Sequence, residues 1–337
     1  MRVKLKDVCE KATSNLKQSD ILSLGGKYPV YGASGYLGNI DSYHQDKPYI
    51  AVVKDGAGIG RTTILPPKSS VIGTMQYLIP KENVMPEYLY YVVKHMRLQK
   101  YYTGATIPHI YFKDYQNEEF NLADLNKQRE IVKVLKNVDN TIRYQEIEIN
   151  KFDELIKARF IEMFGDPITN SRSLSTNSLK DTLILKAGDF TEASNIFEEY
   201  SDVHPYPCYG GNGVRGFVSE YNQDGEYSLI GRQGALSGNV QFVAGKFKNT
   251  EHALLVTPLI SMNSIWLNQL LINLDLKRYQ TGAAQPGISV KNLQEIQIIM
   301  VPIAEQNKFA NFVKQVDKSR FDIKKSIIEL EREVVYD

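Results

Sequence analysis

Residues 126–164 read NKQREIVKVLKNVDNTIRYQEIEINKFDELIKARFIEMF, and this stretch decides the architecture. Its apolar residues Ile131, Leu135, Val138, Ile142, Ile149, Phe152 and Ile156 follow the alternating three-and-four spacing of a coiled-coil seam, with Gln145 as a polar interruption. Gly165-Asp166-Pro167 then supplies a helix-ending signal. A helix of that length is roughly 60 Å long, more than a compact domain needs to cover its core, so it reads as a spacer. The same seam recurs 178 positions later in Phe309, Val313, Val316, Ile323, Ile327, Leu330 and Val334, interrupted at Arg320. The chain carries two rods, one in the middle and one at the end.

The rods belong to a larger repeat. Leu5-Lys6-Asp7-Val8 matches Leu179-Lys180-Asp181-Thr182 at an offset of 174, and the second copy then gains four residues in a loop of variable length. From Tyr28 onward the offset is 178. Tyr28-Pro29-Val30-Tyr31-Gly32 aligns with Tyr206-Pro207-Cys208-Tyr209-Gly210, Gly56-Ala57 and Gly60 with Gly234-Ala235 and Gly238, and Thr103-Gly104-Ala105 with Thr281-Gly282-Ala283. Gln128 and Asp139 align with Gln306 and Asp317. One register held this long is a tandem duplication.

Each copy has the same coarse elements. Tyr49 to Val53 and Met75 to Ile79 read as strands, as do Tyr227 to Ile230 and Ala253 to Val256. Helices are expected from Pro86 to about Lys100 and from Ser264 to about Arg278, and last strands from Glu119 to Leu122 and Ile296 to Met300. Asp124 is a candidate N-cap of the first rod and Pro302 a first-turn residue of the second. The expected fold is α/β (α+β): globules at 1–122 and 168–300, and helical spacers at 123–167 and 301–337. The segment between Gly165 and Leu179 could barely span a rod's length, so the rods are expected to pair as an antiparallel coiled coil. That pairing would put the globules at opposite ends, related by a pseudo-two-fold axis.

With 42% apolar and 23% charged residues, the 337-residue chain has an ordinary globular composition. No apolar run reaches bilayer length and Met1 to Asp7 lacks a signal-peptide core, so a cytoplasmic protein is expected. Cys9 and Cys208 have no metal-ligand spacing and read as reduced structural thiols. A formal charge of only +1 argues against holding nucleic acid by bulk electrostatics alone. Such a role needs local basic loops or a partner that supplies the clamp.

Several strings that resemble catalytic motifs are discounted. Gly211-Asn212-Gly213-Val214-Arg215-Gly216 fits a dinucleotide pattern but lacks a surrounding βαβ unit, and Gly56 to Gly60 lacks the Lys-Ser/Thr pair of a phosphate loop. The five histidines form no helical metal pair. The residues read as a non-enzyme with no cofactor or metal of its own. What remains is a set of polar, Gly-rich loops at matching places: Ser34 to Gly38, Lys54 to Arg61 and Tyr102 to His109 in the first copy, and Asn212 to Arg215, Gly231 to Asn239 and Gln280 to Pro286 in the second. Their candidate DNA-contacting residues are Ser34, Tyr36, Lys54, Arg61, Tyr102, His109, Asn212, Arg215, Arg232, Gln233, Asn239 and Gln280. The framework matches while the polar residues differ, as two globules reading different sequences would require.

These features together resemble the specificity subunit of type I restriction-modification systems. The resemblance rests on the repeated Tyr-Pro-x-Tyr-Gly-x-x-Gly and Thr-Gly-Ala-x-x-Pro-x-Ile strings, the rod starts Leu125 to Gln128 and Ile303 to Gln306, and Phe160 to Pro167. It implies two target-recognition domains, each reading half of a bipartite double-stranded DNA target, with the helices docking two methyltransferase subunits. S-adenosylmethionine would sit in those partners, and ATP and Mg in motor-nuclease subunits that join for cleavage. No membrane partner is expected. The alternatives are a scaffold or decoy that binds methyltransferase without reading DNA, and a small-molecule enzyme using the Gly211 to Gly216 loop.

Overall fold

A computed structural model of the chain describes residues 1–21, 25–56, 58–104, 108–282 and 286–336. Ala57, Ala105 and Ala283 of the repeat, and the side chain of Val334 in the second seam, lie outside the described residues. The chain divides into two compact units, Met1–Tyr144 with Ile327–Asp337, and Gln145–Ser326.

In the first unit the order is β1 (Arg2–Lys4), α1 (Leu5–Val8), β2 (Cys9–Thr13), α2 (Gln18–Ile21), β3 (Tyr28–Gly32), β4 (Gly35–Ile40), β5 (Tyr49–Val53), β6 (Thr62–Leu65), β7 (Ser70–Val71), β8 (Met75–Pro80), α3 (Pro86–His95), α4 (Phe112–Tyr115) and β9 (Glu119–Asn121). The long helix α5 (Leu125–Phe164) begins in it. The strands form an antiparallel sheet β2-β8-β5-β6, a smaller sheet β4-β3-β7 in which β3 and β7 are parallel, and the pair β1-β9. The uninterrupted apolar run of β5 is buried on both faces. Ile50 and Val52 point into a core with Leu5, Val8, Leu78, Leu89, Val93 and Tyr115, while Tyr49, Ala51 and Val53 join Val71, Met75 and Tyr77 on the other side.

The second unit repeats this plan. It holds β10 (Thr176–Ser178), α6 (Leu179–Thr182), β11 (Leu183–Ala187), β12 (Tyr206–Gly210), β13 (Gly213–Val218), β14 (Gln223–Gly231), β15 (Val240–Asn249), β16 (Ala253–Pro258), α7 (Ser264–Asn273), α8 (Val290–Gln294), β17 (Gln297–Ile299) and the start of α9 (Ile303–Tyr336). The pairing registers repeat to the residue: Val30 with Ser70 and Tyr31 with Val71 in one unit, Cys208 with Lys248 and Tyr209 with Asn249 in the other. Both hairpins carry a bulge at the same place, Val30/Tyr31 and Cys208/Tyr209. One difference has a clear cause. Strand β15 runs unbroken through the positions of β6 and β7, giving a single six-stranded sheet β11-β16-β14-β15-β12-β13. In the first unit Pro66-Pro67 stands in the middle of that run. Proline has no N–H for the ladder, so the strand is cut and the sheet divides in two. The four residues gained by the second copy fall between β11 and β12, where Phe197 bridges to Phe217 at the sheet's edge.

The helices expected to reach Lys100 and Arg278 are shorter. Each stops at His95 or Asn273, and Arg97 (φ 48°) and Asp275 (φ 49°) adopt the left-handed conformation before 3-10 turns at Leu98–Tyr101 and Leu276–Tyr279. The bend lays each turn against the loop carrying Gly60 or Gly238. A Cβ on either glycine would meet backbone nitrogen, Gln99 N at 2.5 Å or Lys277 N at 2.7 Å, and both glycines have positive φ, 78° and 85°.

Helix α5 begins where expected, with Asp124 Oδ1 accepting from the amides of Asn126 (2.9 Å) and Lys127 (3.0 Å). Pro302 stands just before α9, its carbonyl accepting from Glu305 and Gln306 N–H. Gln128 and Gln306 are buried struts with the same job. Gln128 Oε1 accepts from Met85 N (2.8 Å) and its Nε2 donates to Ala123 O (2.8 Å) and Asn83 O (3.1 Å). Gln306 Oε1 accepts from Asn263 N (2.8 Å) and its Nε2 donates to Val301 O (2.7 Å).

Within the second unit the two long helices pair antiparallel: Gln145 meets Ser326, Arg320 meets Asp153, and Phe160 meets Phe309. Phe152, Ile156, Phe309, Val313 and Val316 are buried in that seam, with Ile323 packed at its margin. Gln145 Nε2 donates to Ser326 Oγ (3.1 Å), and Arg320 pairs with Asp153 and overlies Phe152. Each polar interruption thus finds a partner across the seam, a means of fixing register. Phe160 and Phe164, beyond the seam as read from sequence, are more deeply buried than most of it: Phe160 stacks on Trp266, and Phe164 meets Trp266 and Phe309 edge-on in the unit's main core. In the first unit Ile131, Leu135, Val138 and Ile142 are half-buried, and it is Val132 that enters the core.

Candidate nucleic-acid interface

The three loops singled out in each copy converge within their own unit. In the first, Gly56 N–H donates to Pro108 O (3.0 Å), Ile110 N–H to Lys54 O (2.9 Å) and Gly60 N–H to Val53 O (2.8 Å), while Thr103 and His109 exchange backbone bonds. Arg61 Nη1 donates to Ala33 O (2.9 Å), bringing in the β3–β4 turn. The second unit holds the same frame: Gly234 N–H to Pro286 O (2.9 Å), Ile288 N–H to Arg232 O (2.8 Å), Gly238 N–H to Gly231 O (2.8 Å), and Thr281 bridged to Gly287. Gly211 lies against Gly231, so the β12–β13 turn joins the cluster. That turn passes from strand to strand, and the Gly211 to Gly216 string opens no helix.

On this common frame the side chains differ. In the first unit His109 Nδ1 lies 2.5 Å from Asp55 Oδ1, the Lys54 ammonium is 3.9 Å from the same carboxylate, and the imidazole stacks on Tyr111. Ser34 and Tyr102 are exposed, and Tyr36 is exposed with its hydroxyl donating to Asn39 Oδ1. The phenol of Tyr101 hydrogen-bonds Glu118, which pushes it up to about 12 and keeps it a neutral donor. In the second unit Arg232 is half-buried, its Nη1 donating to Glu251 O (3.0 Å) and its Nε left without a partner. Gln280 Nε2 donates to Ser237 O (2.6 Å). Gln233 Oε1 lies 3.1 Å from His252 Nδ1, and His252 Nε2 lies 3.0 Å from Glu251 Oε1. Asn212 and Arg215 are exposed and Asn239 is half-buried. Arg61, Arg232 and Gln280 therefore brace loops, whereas Arg215 and Tyr102 are exposed, and Gln233 and Tyr36 are exposed with one hydrogen bond each to a neighbouring side chain.

The sequence reading did not include Glu251-His252. This turn stands where the first unit has Gly73-Thr74, and the backbone link is shared: Lys54 N–H donates to Thr74 O and Arg232 N–H to His252 O, each at 3.0 Å. The signal was a differing polar pair at the same offset of 178. Nearby, Asp189 accepts from the Asn222 amide (2.8 Å), which holds its carboxyl below the usual range, and pairs with Lys248 (3.4 Å). Cys9 and Cys208 are buried free thiols, and burial pushes that of Cys9 up to about 12. Among the described residues no group of three or more His, Cys, Asp or Glu could hold a metal, and no helix is long and apolar enough to cross a membrane. The arrangement offers two like-built surfaces of hydrogen-bond donors and acceptors with different tips, suited to reading polar edges.

Comparison with known proteins agrees with this geometry. The family described as Type I restriction modification DNA specificity domain matches residues 1–152 and again 176–332. The type I restriction enzyme EcoprrI specificity subunit of Escherichia coli is 41% identical over 140 residues, 42% of this chain and 35% of that protein. A putative type I restriction enzyme specificity subunit of Haemophilus influenzae is 26% identical over 110 residues, 32% of this chain and 29% of that one. The matched regions thus span about a third of the length of these curated relatives. The crystal structure of a type I restriction-modification S subunit from M. genitalium superimposes with a TM-score of 0.60 at 18% identity, covering 99% of this chain and 93% of that one. A chain from a structure of a type I R-M system, concerned with its complex assembly and conformational transition, gives a TM-score of 0.61 at 15% identity, covering 99% and 95%. At these identities the likeness concerns the fold.

Proposed function

We infer, because the chain belongs to the family of type I restriction modification DNA specificity domains, that it is the DNA sequence-recognition subunit of a type I restriction-modification complex. Each unit reads one half of a bipartite double-stranded target. The observation that carries this reading is the pair of loop clusters: one backbone frame, bond for bond, bearing Asp55, Thr74 and His109 in one copy and Gln233, His252 and Gly287 in the other. Hydrogen-bonding side chains at base edges give sequence discrimination, and changing them on a fixed frame changes the sequence read.

The long helices dock two methyltransferase subunits, and exposed apolar side chains such as Val134, Tyr144, Ile147, Leu155 and Phe321 along them offer the contact. Those partners bind S-adenosylmethionine and methylate adenine. Motor-nuclease subunits using ATP and Mg join for cleavage. This chain binds and positions and carries no catalytic group, and it works in the cytoplasm. The near-neutral charge fits a reader whose partners help enclose the duplex.

The test is a domain exchange. Residues 1–122 are replaced by another recognition domain, the complex is reconstituted with its methyltransferase subunits, and methylated adenines are mapped. The expected result is a split motif with one half changed and the other kept. Both halves changing would refute the division of labour, and methylation without any motif would point to a scaffold that does not read DNA.

A further inference from the structure

Reading bases and gripping backbone make opposite demands on a duplicated protein. A base reader must differ between copies, but a phosphate contact carries no sequence information and serves equally well in both. The cations kept at equivalent positions are therefore the place to look for the grip. They are Lys6/Lys180 at the early offset and, at 178, Lys54/Arg232, Lys68/Lys246, Lys100/Arg278, Lys113/Lys291 and Lys136/Lys314.

Most of these are otherwise engaged. Lys180 pairs with Glu295, Lys100 with Glu118 and Lys136 with Glu87. Lys54 faces Asp55, and Arg232 is tied down on Glu251 O. Lys246 stands directly opposite Asp224 on the β14–β15 ladder. Among the described residues, the one pair with neither member so engaged is Lys113 and Lys291. Both are exposed, on the short helices α4 and α8, three residues past Ile110 and Ile288, whose amides bond Lys54 O and Arg232 O inside the clusters. Neither has a carboxylate partner among the described residues. Lys113 Nζ lies 5.3 Å from the Tyr111 ring centre, and that ring stacks on His109, so the ammonium borders the polar tip directly.

We propose that Lys113 and Lys291 are matched phosphate-contacting residues that hold each unit on the DNA backbone beside the bases it reads. This rests on the DNA-reading function above. Each such contact releases condensed counterions, contributing about 0.9 to the slope of log affinity against log salt. Removing it weakens binding to any sequence alike and leaves the motif unchanged.

The test uses the reconstituted complex with its methyltransferase subunits. Affinity for a cognate and a scrambled duplex is measured from low to moderate salt for the parent, Lys113→Gln, Lys291→Gln, the double variant and Lys246→Gln. The expected outcome is a slope shallower by about 0.9 for each single variant and about 1.8 for the double, with both duplexes affected equally, the methylated motif kept and Lys246→Gln like the parent. A double variant with the parent's slope, a changed motif in either half, or an equal loss in Lys246→Gln would overturn the assignment. A parent complex without salt-dependent DNA binding would overturn the underlying function as well, which separates the two failures.

Discussion

Replacing Gln306 by alanine removes two hydrogen bonds, from Asn263 N and to Val301 O, at a site where the glutamine is 2% exposed. Two bonds contribute about 2 kcal/mol, and leaving the Asn263 N–H and the Val301 carbonyl poorly served adds about 1 kcal/mol or more. The expected loss is about 3 kcal/mol, or a fall of about 1.5 M in urea midpoint at an m-value of about 2 kcal/mol/M. The chain supplies its own reporter. Trp266, its one tryptophan, is fully buried against Phe160 and Phe164 in the second unit's core. Urea unfolding of the full chain, followed by tryptophan fluorescence and by far-UV circular dichroism, therefore separates that unit from the whole. Gln306→Ala should move the fluorescence transition, whereas Gln128→Ala, despite losing three bonds in the first unit, should move only part of the dichroism. A fluorescence midpoint indifferent to Gln306→Ala, or one shifted equally by Gln128→Ala, would refute the picture of two separately stabilised cores each pinned by its own glutamine.

Gly60→Ala and Gly238→Ala should each destabilise their unit by about 2 kcal/mol or more, combining a left-handed φ with a clash against backbone, read as a lowered thermal midpoint. Gln145→Leu removes a buried Oε1 that has no partner and should stabilise the helix pair by up to about 1 kcal/mol, seen as a higher urea midpoint; a drop would show that the Ser326 bond outweighs the orphan. The hydrogen bond from Lys127 N–H heads the causes that hold the Asp124 carboxyl below its usual range. Its contribution is then present above the unfolded carboxylate pKa and lost as pH falls through the lower folded value. Asp124→Asn keeps the cap without the titration, so its stability should fall less steeply in acid than the parent's. Adding four residues in register to each long helix adds about 6 Å to each and should lengthen the gap between half-sites in the mapped motif; an unchanged gap would show that the helices are not the ruler.

The rods, the duplication and the central strands were legible because each rests on a strong periodic or apolar signal: a seam at Ile131 to Ile156, a constant offset, a run such as Tyr49 to Val53 that only a doubly buried strand tolerates. The three loops were legible as matching polar segments of the two copies, but their convergence was not, because it rests on bonds such as Gly56 N–H to Pro108 O between distant segments. Strands β1 and β10, which pair with the expected last strands β9 and β17, were not, because segments such as Arg2-Val3-Lys4 are too short and polar to show alternation. The turns at Arg97 and Asp275 gave no warning, since neither is a glycine, and their left-handed φ is imposed by the packing of the following turn on Gly60 and Gly238. Phe160 and Phe164 were missed because there the seam merges with a globular core. The roles of Arg61, Arg232 and Gln280 as braces depend on carbonyl positions that no spacing reveals.

Pro66-Pro67 has a further consequence. In the second unit a single ribbon, β15, hydrogen-bonds to both β14 and β12, so one continuous ladder joins the central strands to the outermost hairpin. In the first unit the same ribbon is severed at the proline step, and no backbone ladder among the described residues joins its two sheets. A duplex of imperfect geometry would then be accommodated by yielding in one head and by bending of the DNA under the other, so the two halves of one target would tolerate distortion unequally even with equally good tips.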